Sequence, residues 1–439
     1  MNKKNIFYLV CGGVLVGVTV FLTLKEKVKK SEFLPLKERA AAIAKGPEWE
    51  QTKQRAALLY STLKTKKAKT DLASIYMVEG RITGDRTYYD KAALQLVNSV
   101  LKADSNDFES SVYKAMILLS QHHFADAQVI GNKLLKQNQN SASIYGILVD
   151  ANVELGNYKE AVAYADKMVG LRPDLRSYSR VSYLREIYGD YTGAKAAMKM
   201  AVTAGVLGQE ETEWCTVQLG HLYELSGMID TAEMAYNSAL AARPGFAPAY
   251  AGLGRVEKAN KNYDKAIMYF NNAKAMLADY SYDEELSSVY ALKGNKEKAK
   301  EHIQIALNML NAEAQKGNDD EEIGHYSDRE LAYAYLMEDD KDKALEHALM
   351  EYNRRPNNID VNEVLAWVYY KKGDFTNAVK YIQVALQTNS KNPILNNRAG
   401  LIFYNGGNKV RGGTLLTESL KQKNILEKSQ LDETLAIIK

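Results

Sequence analysis

Along most of this chain, apolar and small residues return every three to four positions, the spacing that gathers them on one face of an α-helix. Residues 219–245, "LGHLYELSGMIDTAEMAYNSALAARPG", show the unit: two short amphipathic runs, Gly227 between them, and Pro244 with Gly245 at the close. That punctuation predicts two helices joined by a tight turn.

The unit recurs. Small residues that let a second helix press on a first stand at Ala127, Ala161, Ala194, Ala232, Ala266, Ala299, Ala344 and Ala378, with Gly412 after them, at intervals of 34, 33, 38, 34, 33, 45, 34 and 34. Gly156, Gly189, Gly227, Gly294, Gly373 and Gly407 each lie five residues before the small anchor, where a left-handed helix end favours glycine. Pro173, Pro244 and Pro356 each lie twelve residues after it, where the second helix must stop. Packing positions and punctuation therefore give one register.

With Leu219, Gly220, Tyr223, Gly227, Ala232, Tyr236, Ala239 and Pro244, the unit resembles the tetratricopeptide repeat, departing from it only at Thr216, where an early aromatic is usual. The next unit matches at Tyr250, Leu253, Gly254, Ala266, Phe270 and Ala273, and later ones at Leu286, Tyr290 and Ala306, at Leu331 and Tyr335, and at Leu365, Tyr369 and Ala385. Residues 72–104 read as a degenerate first repeat with a stretched turn. The last repeat, with Gly412 and Gly413 inside its second helix, is expected to be the softest.

The resemblance implies an all-α, right-handed superhelical solenoid of about nine to ten helix-turn-helix repeats. A single repeat buries too little to fold, so neighbours must stack and the ends need covers. Residues 48–63 are expected to cap the start, and residues 425–439, with Ser429 as helix cap, the end.

Residues 6–24, "IFYLVCGGVLVGVTVFLTL", break the pattern: they carry no charge and are bracketed by Lys3, Lys4, Lys25 and Lys27. The length suits a transmembrane helix. An uncleaved anchor is preferred to a cleaved signal, since "VFLTLKEK" lacks small residues for processing. It is also preferred to a lipid-modified Cys11, because Leu9 and Val10 are bulky for that motif. The expected layout is therefore an anchor or signal at 1–24, a basic neck and leading helix at 25–67, a solenoid at 68–424 and a capping helix at 425–439. The body is expected to face away from the cytoplasm; a cleaved, exported form and a cytoplasmic-facing body are the alternatives.

Charge sharpens this. The net charge is +3, yet residues 1–70 hold fifteen Lys and Arg against five Glu, which leaves the rest of the chain at −7. An acidic body argues against a nucleic-acid-binding domain. Two cysteines, Cys11 and Cys215, make no disulfide framework.

Candidate chemistry is sparse. His122, His123, His221, His302, His325 and His347 show no metal-ligand spacing, and His122 with His123 falls in a predicted solvated turn. The acidic run at 317–325 lacks the alternating ligands of a calcium loop. "GLGRVE" at 252–257 has no third glycine and no preceding strand, so it reads as helix packing, and Cys215 reads as a buried structural thiol. No catalytic residue, cofactor or metal is expected, and no small-molecule substrate.

In the family it resembles, the first helix of each repeat lines a concave groove that binds peptides or helices. Carrying that register over places Arg176, Arg180, Tyr183, Gln218, His221 and Arg255 in the groove, followed by Glu284 and Glu285. Tyr326, Arg329, Glu330 and Tyr333 come next, and then Glu363 and Trp367. The implied gradient runs from basic to acidic and aromatic. A carboxylate clamp of the family's kind is not expected, because Val112, Met116 and Ile147 occupy its earlier positions. The expected function is a membrane-tethered, non-catalytic scaffold for protein partners. The alternatives are an adaptor that acts on anionic lipid or polymer through Lys64, Lys66, Lys67 and Lys69, with the repeats as spacer, and, less favoured, an enzyme with an unrecognised site.

Overall fold

The computed structural model describes residues 33–43, 47–319 and 326–438. It divides after Lys37 into two compact units. In the first, the described residues 33–37 form no helix or strand. The second, Glu38–Lys439, carries the repeats.

After a leading helix α1 (Pro47–Ser61) come ten helix pairs. They are α2 (Lys66–Thr83) with α3 (Arg86–Ala103), α4 (Phe108–Ser120) with α5 (Phe124–Gln137), and α6 (Ala142–Glu154) with α7 (Tyr158–Leu171). Next are α8 (Leu175–Ile187) with α9 (Tyr191–Ala204), α10 (Glu210–Leu225) with α11 (Ile229–Ala242), and α12 (Ala247–Ala259) with α13 (Tyr263–Met276). Then α14 (Tyr280–Leu292) pairs with α15 (Lys296–Asp319), α16 (Asp328–Met337) with α17 (Lys341–Arg354), α18 (Ile359–Lys371) with α19 (Phe375–Ala385), and α20 (Pro393–Asn405) with α21 (Lys409–Ser419). A 3₁₀ segment (Leu420–Ile425) and α22 (Lys428–Ile437) close the chain.

Local chemistry explains the pairs. In all ten turns one residue adopts the left-handed conformation: Gly84, Gly156, Gly189, Gly227, Gly294, Gly373 and Gly407, with His122, Lys261 and Asp339 in the other three. The non-glycine residues there accept about 1 kcal/mol of backbone strain each. Asp190, Asp340, Asp374 and Asn408 then accept a hydrogen bond from the first turn of the second helix. The anchors Ala127, Ala161, Ala194, Ala232, Ala266, Ala344 and Ala378 have no exposed surface, because a larger side chain would separate the paired helices. Ala299 is only half-buried. In two repeats a serine hydroxyl on the first helix donates to the anchor carbonyl, Ser182 to Ala194 and Ser287 to Ala299, at 2.8 Å each.

Several expectations change. The first repeat has a short turn at Gly84 and Asp85; its extra residues lengthen both helices to 18 residues instead. The widest interval is absorbed in the same way, by the 24 residues of α15 and the segment after it. Ser429 lies inside α22, whose N-cap is Glu427. The expected transmembrane or signal helix does not belong to the described fold. Among the described residues no helix is long and apolar enough to cross a membrane, and residues 6–24 lie outside them. α15 has the length for it but carries charges throughout, beginning with Lys296, Glu297 and Lys298. The tethered architecture, and the membrane-anchored location drawn from it, are therefore withdrawn.

The repeats also meet at long range, which the sequence did not foretell. The turn inside each early repeat touches the linker that precedes the sixth repeat further on. The Nδ1 of His122 is 2.9 Å from the Tyr326 carbonyl oxygen, and the His123 ring stacks on Tyr326 at 4.5 Å. Arg355 pairs with Glu154, Asn358 Nδ2 donates to the Glu154 carbonyl at 3.0 Å, and the Ile359 amide donates to the Tyr158 hydroxyl at 2.8 Å. These partners stand 201 to 204 positions apart, six periods of 34. Gly84 against Leu277 and Gly189 against Asn389 join a turn to a linker six repeats on in the same way, across somewhat shorter separations. The second unit is thus a superhelix with about six repeats per turn, and its successive turns touch.

Candidate functional site

Consecutive first helices pack against one another, so their free faces form the inner surface of the superhelix. Each such face lies one repeat, about 34 residues, from the next, so charged side chains meet across repeats. Arg176 binds Glu211 at 2.7 Å and Arg180 binds Asp150 Oδ1 at 2.8 Å. Arg255 donates to Glu224 at 3.2 Å, and Lys258 to Glu285 at 2.7 Å. Arg329 reaches Glu330 at 2.9 Å and Asp360 at 3.4 Å. Glu363 accepts from Tyr333 at 2.6 Å and from Arg398 at 2.6 Å. The result is a ladder of ion pairs. The gradient expected from the sequence is cancelled locally, because each of these cations is matched by a carboxylate on its own or a neighbouring repeat.

The tightest rung surrounds Glu224. Its carboxylate accepts from the Tyr236 hydroxyl at 2.7 Å and from Arg255, while the Arg255 Nη2 also donates to Tyr236 at 3.1 Å. Burial alone would raise the Glu224 pKa, but Arg255, His221 and Tyr236 together hold it at about 2. Tyr236 is itself fully buried, its ring lying where a Cβ on Gly220 or Gly252 would be 2.5 Å away. The glycines of "GLGRVE" are therefore packing residues, and the tyrosine excess serves both core and ladder.

Glu284 has no such partner. Its Oε1 is buried without a hydrogen bond among the described residues, and burial, then Glu285, Glu330 and Asp279, push its carboxyl up to about 8. Both effects favour the neutral form of this carboxyl on the inner face.

The other positions expected in the groove are placed as follows. Tyr183 is 38% exposed, the most accessible aromatic of the set, and Gln218 is half-buried. The His221 Nδ1 lies 3.7 Å from Glu224. Trp367 is 4% exposed, stacked on Tyr370 at 4.9 Å. Tyr326 belongs to the contact between superhelical turns, with Arg354 4.0 Å above its ring, and it draws His122 and His123 out of the solvated turn expected for them. Sequence reasoning missed Asp150, Glu211, Glu224, Lys258, Asp360 and Arg398. Opposite charges one repeat away from a groove position were the available sign.

The neck lysines are partly engaged. Lys66 pairs with Asp107 and lies 3.8 Å from Asp104, and Lys67 pairs with Asp71 at 2.7 Å and Glu109 at 3.4 Å. Lys66, Lys67 and Lys69 are residues of α2, inside the first repeat, and only Lys64 lies in the linker before it. Cys215 is fully buried and its thiol is pushed up to about 12 by burial and by Glu211 and Glu210, which makes it inert as a nucleophile. Among the described residues no group of three or more His, Cys, Asp or Glu could hold a metal ion.

Solved structures similar to this chain include human IFIT1 as a dimer with PPP-AAAA, at 17% identity over 78% of this chain and 86% of that one, with a TM-score of 0.43. The thermophilic TPR protein TTC0263 of Thermus thermophilus is 20% identical over 47% of this chain and 98% of its own, with a TM-score of 0.37. YrrB, a TPR protein with an unusual peptide-binding site, is 19% identical over 42% and 94%, with a TM-score of 0.30. At these scores the similarities carry no argument about function. No curated protein matches the chain. Two models of the tetratricopeptide repeat do match, one over residues 113–175 and the other over residues 247–276 and 359–392. These stretches fall in register with the helix pairs described above, so the chain carries tetratricopeptide repeats.

Proposed function

We propose that this protein is a non-catalytic scaffold that holds segments of partner proteins along the inner faces of its first helices. The observation that carries this reading is the ladder itself. Over successive repeats the inner surface presents charged and aromatic groups, while the apolar positions close the core between paired helices. Because the rungs are already paired, a partner gains little from charge alone. It has to replace a rung with a better-matched contact, which favours specificity over raw affinity.

A photo-crosslinking residue in place of Tyr183, on the inner face, tests this against the same residue in place of Val129 or Met234, which are 68% and 71% exposed on second helices. Discrete adducts from position 183 alone support the reading. Adducts only from the second helices overturn it.

A further inference from the structure

A cleft of about 1010 Å³ opens where the ends of α14, α16 and α18 face the start of α15 and the closing helix α22. Its chemistry differs from the ladder. Lys296, Lys300, Lys371 and Lys428 line it, and none has a carboxylate within 4.0 Å of its Nζ among the described residues. Of the acids in the same cleft, Asp339 pairs with Lys341 at 3.1 Å and Glu427 with Lys258 at 3.5 Å; Glu338 and Asp432 also line it, so that six cationic side chains face four carboxylates.

Lys371 is the innermost of these cations. It is half-buried, its Nζ 4.5 Å from the centre of the Trp367 ring and 5.9 Å from that of Tyr370. Burial, together with Arg398 and Lys341, lowers its pKa from the ordinary lysine value despite Glu433. Arg398 lies against the same indole, with its Cζ 5.2 Å from the ring centre. Its Nη1 donates to Tyr333 and Glu363, but its buried Nε–H meets no acceptor among the described residues. A half-buried ammonium on an aromatic wall, with no carboxylate within 4.0 Å of its Nζ among the described residues and an unused guanidinium donor beside the same ring, is a site that can take an anion. The volume is at the top of the usual range for small-ligand pockets, about 300–1,000 Å³, so the cleft has room for several residues of a chain.

We propose that this cleft receives an acidic, extended segment of a partner protein, with one carboxylate on Lys371, the apolar part of the segment against Trp367, and further carboxylates met by Lys296, Lys300 and Lys428. The inference rests on the scaffold reading and adds to it the chemistry of the partner. It places recognition at the helix ends beside α22, next to the rung formed by Tyr333, Glu363 and Arg398.

The test uses the full chain and a fluorescein-labelled peptide of alternating Glu and Leu, with a Gln–Leu peptide of the same length as control, read by fluorescence anisotropy. The Glu peptide is expected to bind with a salt-sensitive affinity at least about tenfold above that of the Gln peptide. Lys371→Glu should remove that advantage and Lys371→Arg should keep it. Lys296→Glu combined with Lys300→Glu, both exposed positions, should weaken binding in the same direction even if the Lys371 variants fail to fold. Equal binding of the two peptides, or no effect of the charge reversals, overturns the proposal. So does displacement of the peptide by citrate or inorganic phosphate at equal concentration, which would mark a small-anion site. If the cleft fails while crosslinks at position 183 persist, the scaffold reading stands; if both fail, it falls as well.

Discussion

Glu284→Gln offers the sharpest check on the physics of the inner face. In the folded chain this carboxyl is raised from 4.5 to about 8, first by burial and then by Glu285, Glu330 and Asp279. Between those pH values the unfolded chain is ionised at this position while the folded chain binds a proton. Stability therefore falls as pH rises from 4.5, and the full cost is reached above about 8. At about 1.4 kcal/mol per tenfold, the ceiling is about 5 kcal/mol; partial access of water to the inner face brings the expected cost to about 2 kcal/mol. Glutamine keeps the shape and removes the charge. Thermal melts of parent and variant should coincide at about pH 4, with the variant melting higher by about 2 °C at about pH 9, where the carboxylate must be ionised. The same offset at both pH values, or a less stable variant at high pH, would refute the argument that Glu284 lacks a counter-charge.

Glu224→Gln should act in the opposite sense: it leaves the buried Arg255 uncompensated, and a loss of about 3 kcal/mol is expected in urea melts at neutral pH. Since Glu224 is held at about 2, its contribution is fully present above 4.5 and fades as pH falls through 2, so parent and variant should converge in strong acid. Gly156→Ala places a Cβ 2.4 Å from the Asn357 carbonyl at a φ of +82°, whereas Gly373→Ala at +79° meets nothing within 4 Å. The second should cost about 1 kcal/mol and the first clearly more; hydrogen exchange at the Ile359 amide, which is bonded to Tyr158, should quicken only in the first. Arg355→Ala, which removes the pair with Glu154 and the contact with the Phe124 ring, should speed exchange at the same amide while leaving repeat one unchanged.

How far the fold could be read in advance varies by feature. Ala232, Gly227 and Pro244 speak through local sterics: a small residue where helices touch, a left-handed turn, a stop after the helix. Those constraints act within a repeat, so one repeat displays them and the period confirms them. Three turns were opaque because His122, Lys261 and Asp339 occupy the left-handed position without the glycine that would announce it. The groove candidates other than Tyr326, which lies in the linker before α16, fall on first helices, yet the contacts they make were not legible. That Arg180 faces Asp150, or that Arg398 closes on Glu363 and Tyr333, depends on the rotation between neighbouring repeats.

By itself, then, the sequence determined that the chain is built of tetratricopeptide repeats, and it determined their register, because the interactions that define a repeat span fewer than about 34 residues and leave their mark in periodic positions. The number of repeats per superhelical turn, the joints between Glu154 and Arg355 or His122 and Tyr326, and the isolation of Glu284 and Lys371 were decided only in three dimensions. The physical reason is accumulation: a small rotation at each interface between repeats, set by side-chain packing, adds over six repeats to one turn, and only then do residues about 200 positions apart become neighbours.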